Sequence, residues 1–223
     1  AGEKLAEPIR TAWHEATGTA IYEAFGMSEC STFISSSPAH PGTSGALGRP
    51  QAGRRVAILG EDGAPVPCGE PGTIAVHRSD PGLMLGYVGA PEETAERFAG
   101  DWFLTGDQGA MAEDGEIRYL GRGDDMMNAG GYRVSPIEVE SALADLPGLT
   151  EVGVTDVAVK EGVNVIAAFY VAAEPLDETL LQARAAERLA RYKQPRAYVR
   201  VDALPRNANG KLVRKALKDQ AII

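Results

Sequence analysis

The stretch GRGDDMMNAGGYRVSPIEVE, residues 121–140, decides how this chain is organised. Ser135-Pro136-Ile137-Glu138 reads as a capping box with proline in the first helical turn: the hydroxyl accepts from the N3 amide, and proline's φ already suits a helix. Val139, Ala142, Leu143 and Leu146 continue an apolar stripe at helical spacing. Gly130-Gly131 admits positive φ or close approach to a ligand. Asp124-Asp125 places two like charges side by side, costly to bury together, so at least one is expected at the surface. Arg122 offers a planar donor fork for phosphate or ribose oxygens. A tight linker leading into a capped helix explains the spacing but gives Arg122 and Arg133 no task.

Upstream, helical spacing runs from Glu3 to Thr17, followed by a strand-like IYEAFG at Ile21 to Gly26. A loop rich in Ser, Pro and Gly is expected from Ser35 to Gly53. RRVAIL, TIAVH and EIRYL are short strands between turn dipeptides, with a helix at PEETAERF whose Pro91 suits its first turn. They imply a small, mostly β unit ending near Leu120. Downstream come two β-rich runs, EVGVTDVAV and NVIAAFYVA. A helix with Leu181, Ala185 and Leu189 on one face, a strand AYVRV, the loop LPRNANGK and a last helix LVRKALKDQ complete the chain. That is an α+β unit of about 100 residues, large enough for its own core.

The 223 residues are 44% apolar and 24% charged, as in ordinary globular proteins. No apolar run approaches the roughly 20 residues that span a bilayer. The first residues, AGEKLAEPIRTAW, lack the apolar core of a leader, so a cytoplasmic setting is the default expectation. Cys30 and Cys68 stand far apart and His14, His40 and His77 are scattered, which favours plain packing of both thiols over zinc or redox chemistry. The net charge of -9 is uneven: from Gln182 onward eleven Lys or Arg face three acids. These cations are interleaved with Leu, Ala, Tyr and Pro and lack an aromatic RNA-binding pattern, which argues against nucleic acid. A solvated helix face accounts for most of them; a site for phosphate-bearing small molecules is the alternative.

Three further segments carry chemistry. Phe25-Gly26-Met27-Ser28-Glu29 sets a stacking ring, a hydroxyl and a carboxylate at a strand end, though packing alone also fits. Asp107, in WFLTGD, can accept hydrogen bonds from a ribose diol, or it can be a turn residue bonding its own backbone. Asn209-Gly210 is a turn that would hold Lys211 on a short exposed loop. The loop is not a Walker loop, because the first glycine and the Ser or Thr after lysine are absent.

Taken in order and spacing, these four segments resemble the later motifs of the adenylate-forming superfamily, which includes acyl-CoA synthetases, luciferases and peptide-synthetase adenylation domains. AFGMSE is similar to the family's aromatic-Gly-x-Thr-Glu motif, with Phe25 where Tyr is common and Ser28 where Thr is common. The resemblance implies that Phe25 faces adenine, Ser28 contacts phosphate and Glu29 helps hold Mg2+. It implies that Asp107 binds the ribose, that Arg122 contacts the nucleotide and that Arg133 approaches phosphate. Asp124 matches the hinge, Gly130 and Gly131 the face presented to an incoming thiol, and Lys211 the lysine of the adenylation step. GALGRP, residues 45–50, is similar to the glycine-rich segment before the family's small β-domain.

The fold so implied is α/β and α+β. Residues 1–123 would be the end of a large AMP-binding domain with a small β-barrel-like subdomain, and residues 124–223 a compact, mobile α+β C-terminal domain. The implied activity is a ligase that couples a small carboxylic acid to AMP from ATP and passes the acyl group to CoA, by domain alternation about Asp124. The family's Ser/Thr/Gly-rich phosphate loop lies upstream of AFGMSE, and its absence here implies an incomplete enzyme, inactive without its N-terminal part. A carrier-protein thiol in place of CoA, and a non-catalytic nucleotide-binding domain, are the rival readings.

Overall fold

A computed structural model describes residues 5, 7–43, 45–129, 131–160, 163–208 and 210–220. The chain divides between Gly123 and Asp124 into two compact units.

In the first unit the helix expected from Glu3 runs Glu7–Thr17 (α1). Strands β1 (Ala24–Met27), β2 (Ser31–Ser35), β3 (Ala46–Pro50), β4 (Val56–Leu59), β5 (Pro71–His77), β6 (Phe98–Ala99), β7 (Trp102–Met111) and β8 (Ile117–Arg122) form one antiparallel sheet. Its order is β1-β2-β3-β8-β7-β5-β4, with β6 added along β7. Helix α2 (Pro91–Glu96) opens on its proline as the sequence predicts. The sheet buries Phe33, Ile34, Ile58, Ile74, Val76 and Ile117 in one core. Fully burying side chains of this size contributes about 1.5–3 kcal/mol each.

Strand β3 corrects the sequence reading, which expected loop from Ser35 to Gly53. Gly48 sits at φ +103°, and a Cβ there would lie 2.2 Å from the Ser35 carbonyl group. Two backbones approach so closely that only glycine fits, and the glycine needed for pairing imitates a loop in the sequence.

The second unit pairs β9 (Met127–Ala129) with β10 (Tyr132–Val134) in a hairpin and builds a separate sheet, β11-β12-β13, from Leu149–Lys160, Val163–Ala172 and Ala197–Arg200. β11 and β12 are antiparallel; β12 and β13 are parallel, joined across helix α4 (Glu178–Arg188). Helix α3 (Pro136–Leu143) and α4 cover one face, where Val139, Leu143, Ile166, Ala168 and Ala185 meet. Helix α5 (Arg214–Gln220) covers the other, where Leu217 and Leu204 meet Ala167 and Phe169. Burial on both faces explains why β12 reads as an unbroken apolar run rather than an alternation.

The capping reading is met in place. Ser135 Oγ accepts from the Glu138 amide at 3.2 Å, and Pro136 opens the helix. The Glu138 carboxylate in turn takes Lys193 Nζ at 2.6 Å. We expect Ser135→Ala to cost about 1 kcal/mol, the usual worth of such a cap; a urea midpoint that falls at unchanged slope checks it.

Part of the basic tail is ion-paired, while Lys211 within it is exposed. Arg188 meets Asp145, Lys193 meets Glu138, Arg206 meets Glu151, Arg214 meets Glu140 and Asp125, and Lys218 meets Asp156. The excess of cations after Gln182 thus answers acids earlier in the same unit.

Candidate nucleotide site

Strand β7 alternates buried and half-buried residues, and Phe103, Thr105 and Asp107 share the buried face. Asp107 is therefore a mid-strand residue, not a turn residue, and is only 6% exposed. Its register partner on β8 is Arg122. One carboxylate oxygen accepts from the Tyr119 hydroxyl at 2.9 Å and the other from Arg122 Nη1 at 3.4 Å. Arg122 also reaches the Thr105 carbonyl, and Thr105 Oγ1 donates to the Ile74 carbonyl while accepting from the Asp107 amide. Gly106 lies at φ +81°, and a Cβ there would come within 3.0 Å of the Arg122 guanidinium. A carboxylate is an acceptor with about four lone-pair sites, the type of group that a ribose diol donates to.

Phe25 on β1 packs its ring 5.5 Å from Tyr119 and 5.5 Å from Phe33. Of the predicted set, Phe25, Asp107 and Arg122 are thus joined through Tyr119 into one cluster. Ser28 lies exposed at the turn after β1. Glu29 is half-buried and accepts from the Tyr87 hydroxyl at 2.9 Å. Burial, with the hydrogen bond to Glu29 and its charge, holds the Tyr87 phenol above its ordinary value. Next to it, burial pushes the Cys30 thiol up to about 12, only partly offset by Arg54. That thiol stays neutral at physiological pH and is a packing residue; Cys68 is exposed, which corrects the expectation that both thiols pack. Among the described residues no group of three His, Cys, Asp or Glu could cage a metal. A lone Glu29 suits Mg2+, which commonly takes one or two carboxylates and completes its shell with water and substrate phosphate.

In the second unit, Asp124 is exposed while Asp125 pairs with Arg214 at 3.3 Å, the division expected of adjacent carboxylates. Arg133 is exposed on β10, opposite Asn128, and Gly131 takes φ +85° in the hairpin turn. Gly130 and Asn209 lie outside the described residues. Lys211 is exposed on a loop closed by its own backbone: its amide donates to Asn207 Oδ1 and its carbonyl accepts from the Asn207 amide. Arg206 and Leu212 bridge the base of that loop, and Arg206 also reaches the Gly210 carbonyl at 2.7 Å.

Sequence reasoning missed Tyr119, Tyr87 and the Arg54–Asp80 pair. Period-two alternation in EIRYL could have placed Tyr119 on the face of buried Ile117. No local pattern could have shown that its hydroxyl meets Asp107.

Two family models match parts of the chain. Residues 1–88 match the family described as AMP-binding enzyme, and residues 138–211 match the AMP-binding enzyme C-terminal domain. The acyl-coenzyme A synthetase ACSM5, mitochondrial, of Rattus norvegicus is 36% identical across 98% of this chain and 40% of its own length. The anthranilate CoA ligase AuaEII, solved with anthranoyl-AMP, superposes with a TM-score of 0.87 at 32% identity, over 99% of this chain and 43% of that one. The O-succinylbenzoate coenzyme A synthetase of Bacillus subtilis, solved with AMP, gives 0.85 at 30% identity, over 98% and 45%. The chain spans about 40% of the length of the curated relatives it matches. No helix among the described residues is long and apolar enough to cross a membrane.

Proposed function

The chain belongs to the AMP-binding enzyme family, and from that membership we propose that it carries the nucleotide-contacting rim and the mobile C-terminal domain of an AMP-forming acid–thiol ligase. The observation that carries this reading is the cluster in which Asp107, held by Tyr119 and Arg122, is joined through the Tyr119 side chain to Phe25. A buried carboxylate is the acceptor type that a ribose diol donates to, and an aromatic ring in the same cluster suits a base.

A carboxylate resists acyl transfer because its charge repels nucleophiles and oxide leaves poorly. In the first half-reaction a carboxylate oxygen attacks the α-phosphorus of ATP, the bond to pyrophosphate breaks, and acyl-AMP forms. In the second, the CoA thiolate attacks the acyl carbon, the thiol proton having passed to base, and AMP departs with the bonding pair. Phe25 stacks the adenine, Asp107 accepts from the ribose, and Arg122 and Arg133 donate to nucleotide oxygens. Ser28 contacts phosphate, and Glu29 holds Mg2+, which supplies neutralisation of phosphate charge. Lys211 stabilises the charge that develops in the first step, as preorganised donors do. Asp124 is the pivot that alternates Lys211 with the Gly130-Gly131 pair presented to the thiol; a few residues that absorb large φ/ψ changes suffice for such a hinge. The partners are a small carboxylic acid, ATP and CoA, together with the N-terminal part of such an enzyme.

Calorimetric titration of the purified 223-residue chain with AMP is expected to give saturable binding, with no acid-dependent exchange of pyrophosphate into ATP. A chain that leaves AMP unbound would sink the reading. Exchange by the chain alone would refute its dependence on further sequence.

A further inference from the structure

Arg54 belongs to none of the motifs above, yet its side chain is only 11% exposed and Asp80 opposite is fully buried. Its three nitrogens are all engaged. Nε pairs with Asp80 at 2.9 Å, Nη1 donates to the Thr32 carbonyl at 2.7 Å, and Nη2 donates to the Cys30 carbonyl at 2.5 Å. Asp80 is itself fixed by the amides of Arg55 and Gly82. Burial raises its carboxyl, but those two amides and Arg54 outweigh it and leave the group below the ordinary aspartate value, hence charged. A Cβ on Gly82 would come within 2.6 Å of the guanidinium, so the pocket is shaped around it.

The two carbonyls that Arg54 holds flank Ser31. Among the described residues Ser31 is the one non-glycine with positive φ, at +56°. Serine is strained there, and such strain persists only where surrounding contacts over-determine it. The same turn carries Ser28 and Glu29, and its strands meet closely: a Cβ on Gly26 would lie 2.2 Å from the Ser31 carbonyl oxygen. A bidentate fork anchored by a buried carboxylate is the kind of contact that can hold such a turn, and lysine cannot reproduce it.

We propose that Arg54, locked by Asp80, is a positioning residue that holds the strained Ser28–Thr32 turn so that Ser28 and Glu29 face the nucleotide phosphate. This rests on the functional reading above and adds to it a residue that touches no substrate.

The test uses the 223-residue chain with AMP as probe. Arg54→Lys keeps a cation opposite Asp80 but cannot span both carbonyls. It is expected to weaken AMP binding about tenfold, or ~1.4 kcal/mol, and to speed amide exchange at residues 28–32 by a similar factor. Adding Ser31→Gly, which adopts positive φ without strain, should restore affinity to within about threefold, since glycine removes the need for the clamp. A purely structural role would not give that rescue. Where Arg54→Lys melts too early, Asp80→Asn, which removes the anchor and keeps Arg54, is expected to show the same pattern. Unchanged exchange in the turn would overturn the clamp, and fast exchange with unchanged AMP affinity would overturn its role in binding. An unsubstituted chain that binds no AMP would instead refute the functional reading, and exchange alone would then decide whether Arg54 holds the turn.

Discussion

Lys211→Ala, placed in the complete enzyme, is expected to lower adenylation about 10²–10³-fold, the usual loss when one preorganised donor is removed from a developing charge. Thioester formation from supplied acyl-AMP should stay within a few-fold of the unsubstituted enzyme. The geometry of the loop makes this a clean comparison. Its closure uses the Lys211 amide and carbonyl against Asn207, together with the Arg206–Leu212 bridge, and none of these needs the lysine ammonium. Alanine therefore leaves the loop in place and removes only the exposed charge. Pyrophosphate exchange reads the first step and a thioester assay from synthetic acyl-AMP reads the second. Equal loss of both would sink the assignment of Lys211 to one half-reaction.

Asp107→Asn should be the second largest effect. The amide keeps the shape of the side chain but lacks the charge that faces Arg122, and its NH2 must point at either the guanidinium or the Tyr119 hydroxyl. Hydrogen bonds to charged groups contribute about 1.5–3 kcal/mol, so AMP affinity is expected to fall roughly tenfold to hundredfold. A nucleotide lacking both ribose hydroxyls separates the causes. If Asp107 accepts from the diol, dideoxy-AMP should bind the substituted and unsubstituted chains about equally. A persistent difference with that ligand would assign Asp107 to the architecture of the cluster instead.

What the sequence disclosed tracks how local each interaction is. The Ser135 cap involves neighbours three residues apart, so four letters were enough to read it. Paired acids at Asp124-Asp125 likewise announced that their environments must differ. Strand β3 stayed hidden because its pairing depends on Gly48 meeting Ser35, and glycine-rich composition looks like loop whether or not another backbone lies against it. Asp107 was read with two outcomes open; its place in the middle of β7 removes the turn reading, and its contact with a ribose is part of the proposal. Arg54 and Asp80 gave no signal at all: each is an ordinary charged letter until folding buries one against the other. The tail basicity could not show that several of its cations pair with acids of the same unit that precede it in the chain.

The register of β7 against β8 has a consequence for how the cluster assembles. Asp107 and Arg122 are only 15 residues apart and directly opposed, with Tyr119 on the same hairpin and a tight turn at Asp114-Gly115. Hairpins of this kind close within about 1–10 μs, so donors and acceptor can meet early on the folding chain. Phe25 reaches them only once β1 and β2 join through the long-range pairing of β3 with β8. Contacts of such separation carry a larger closure entropy and form later. The polar side of the site is thus an early, self-contained product of one hairpin, and the aromatic wall is a late arrival whose seating reports that the whole unit has closed.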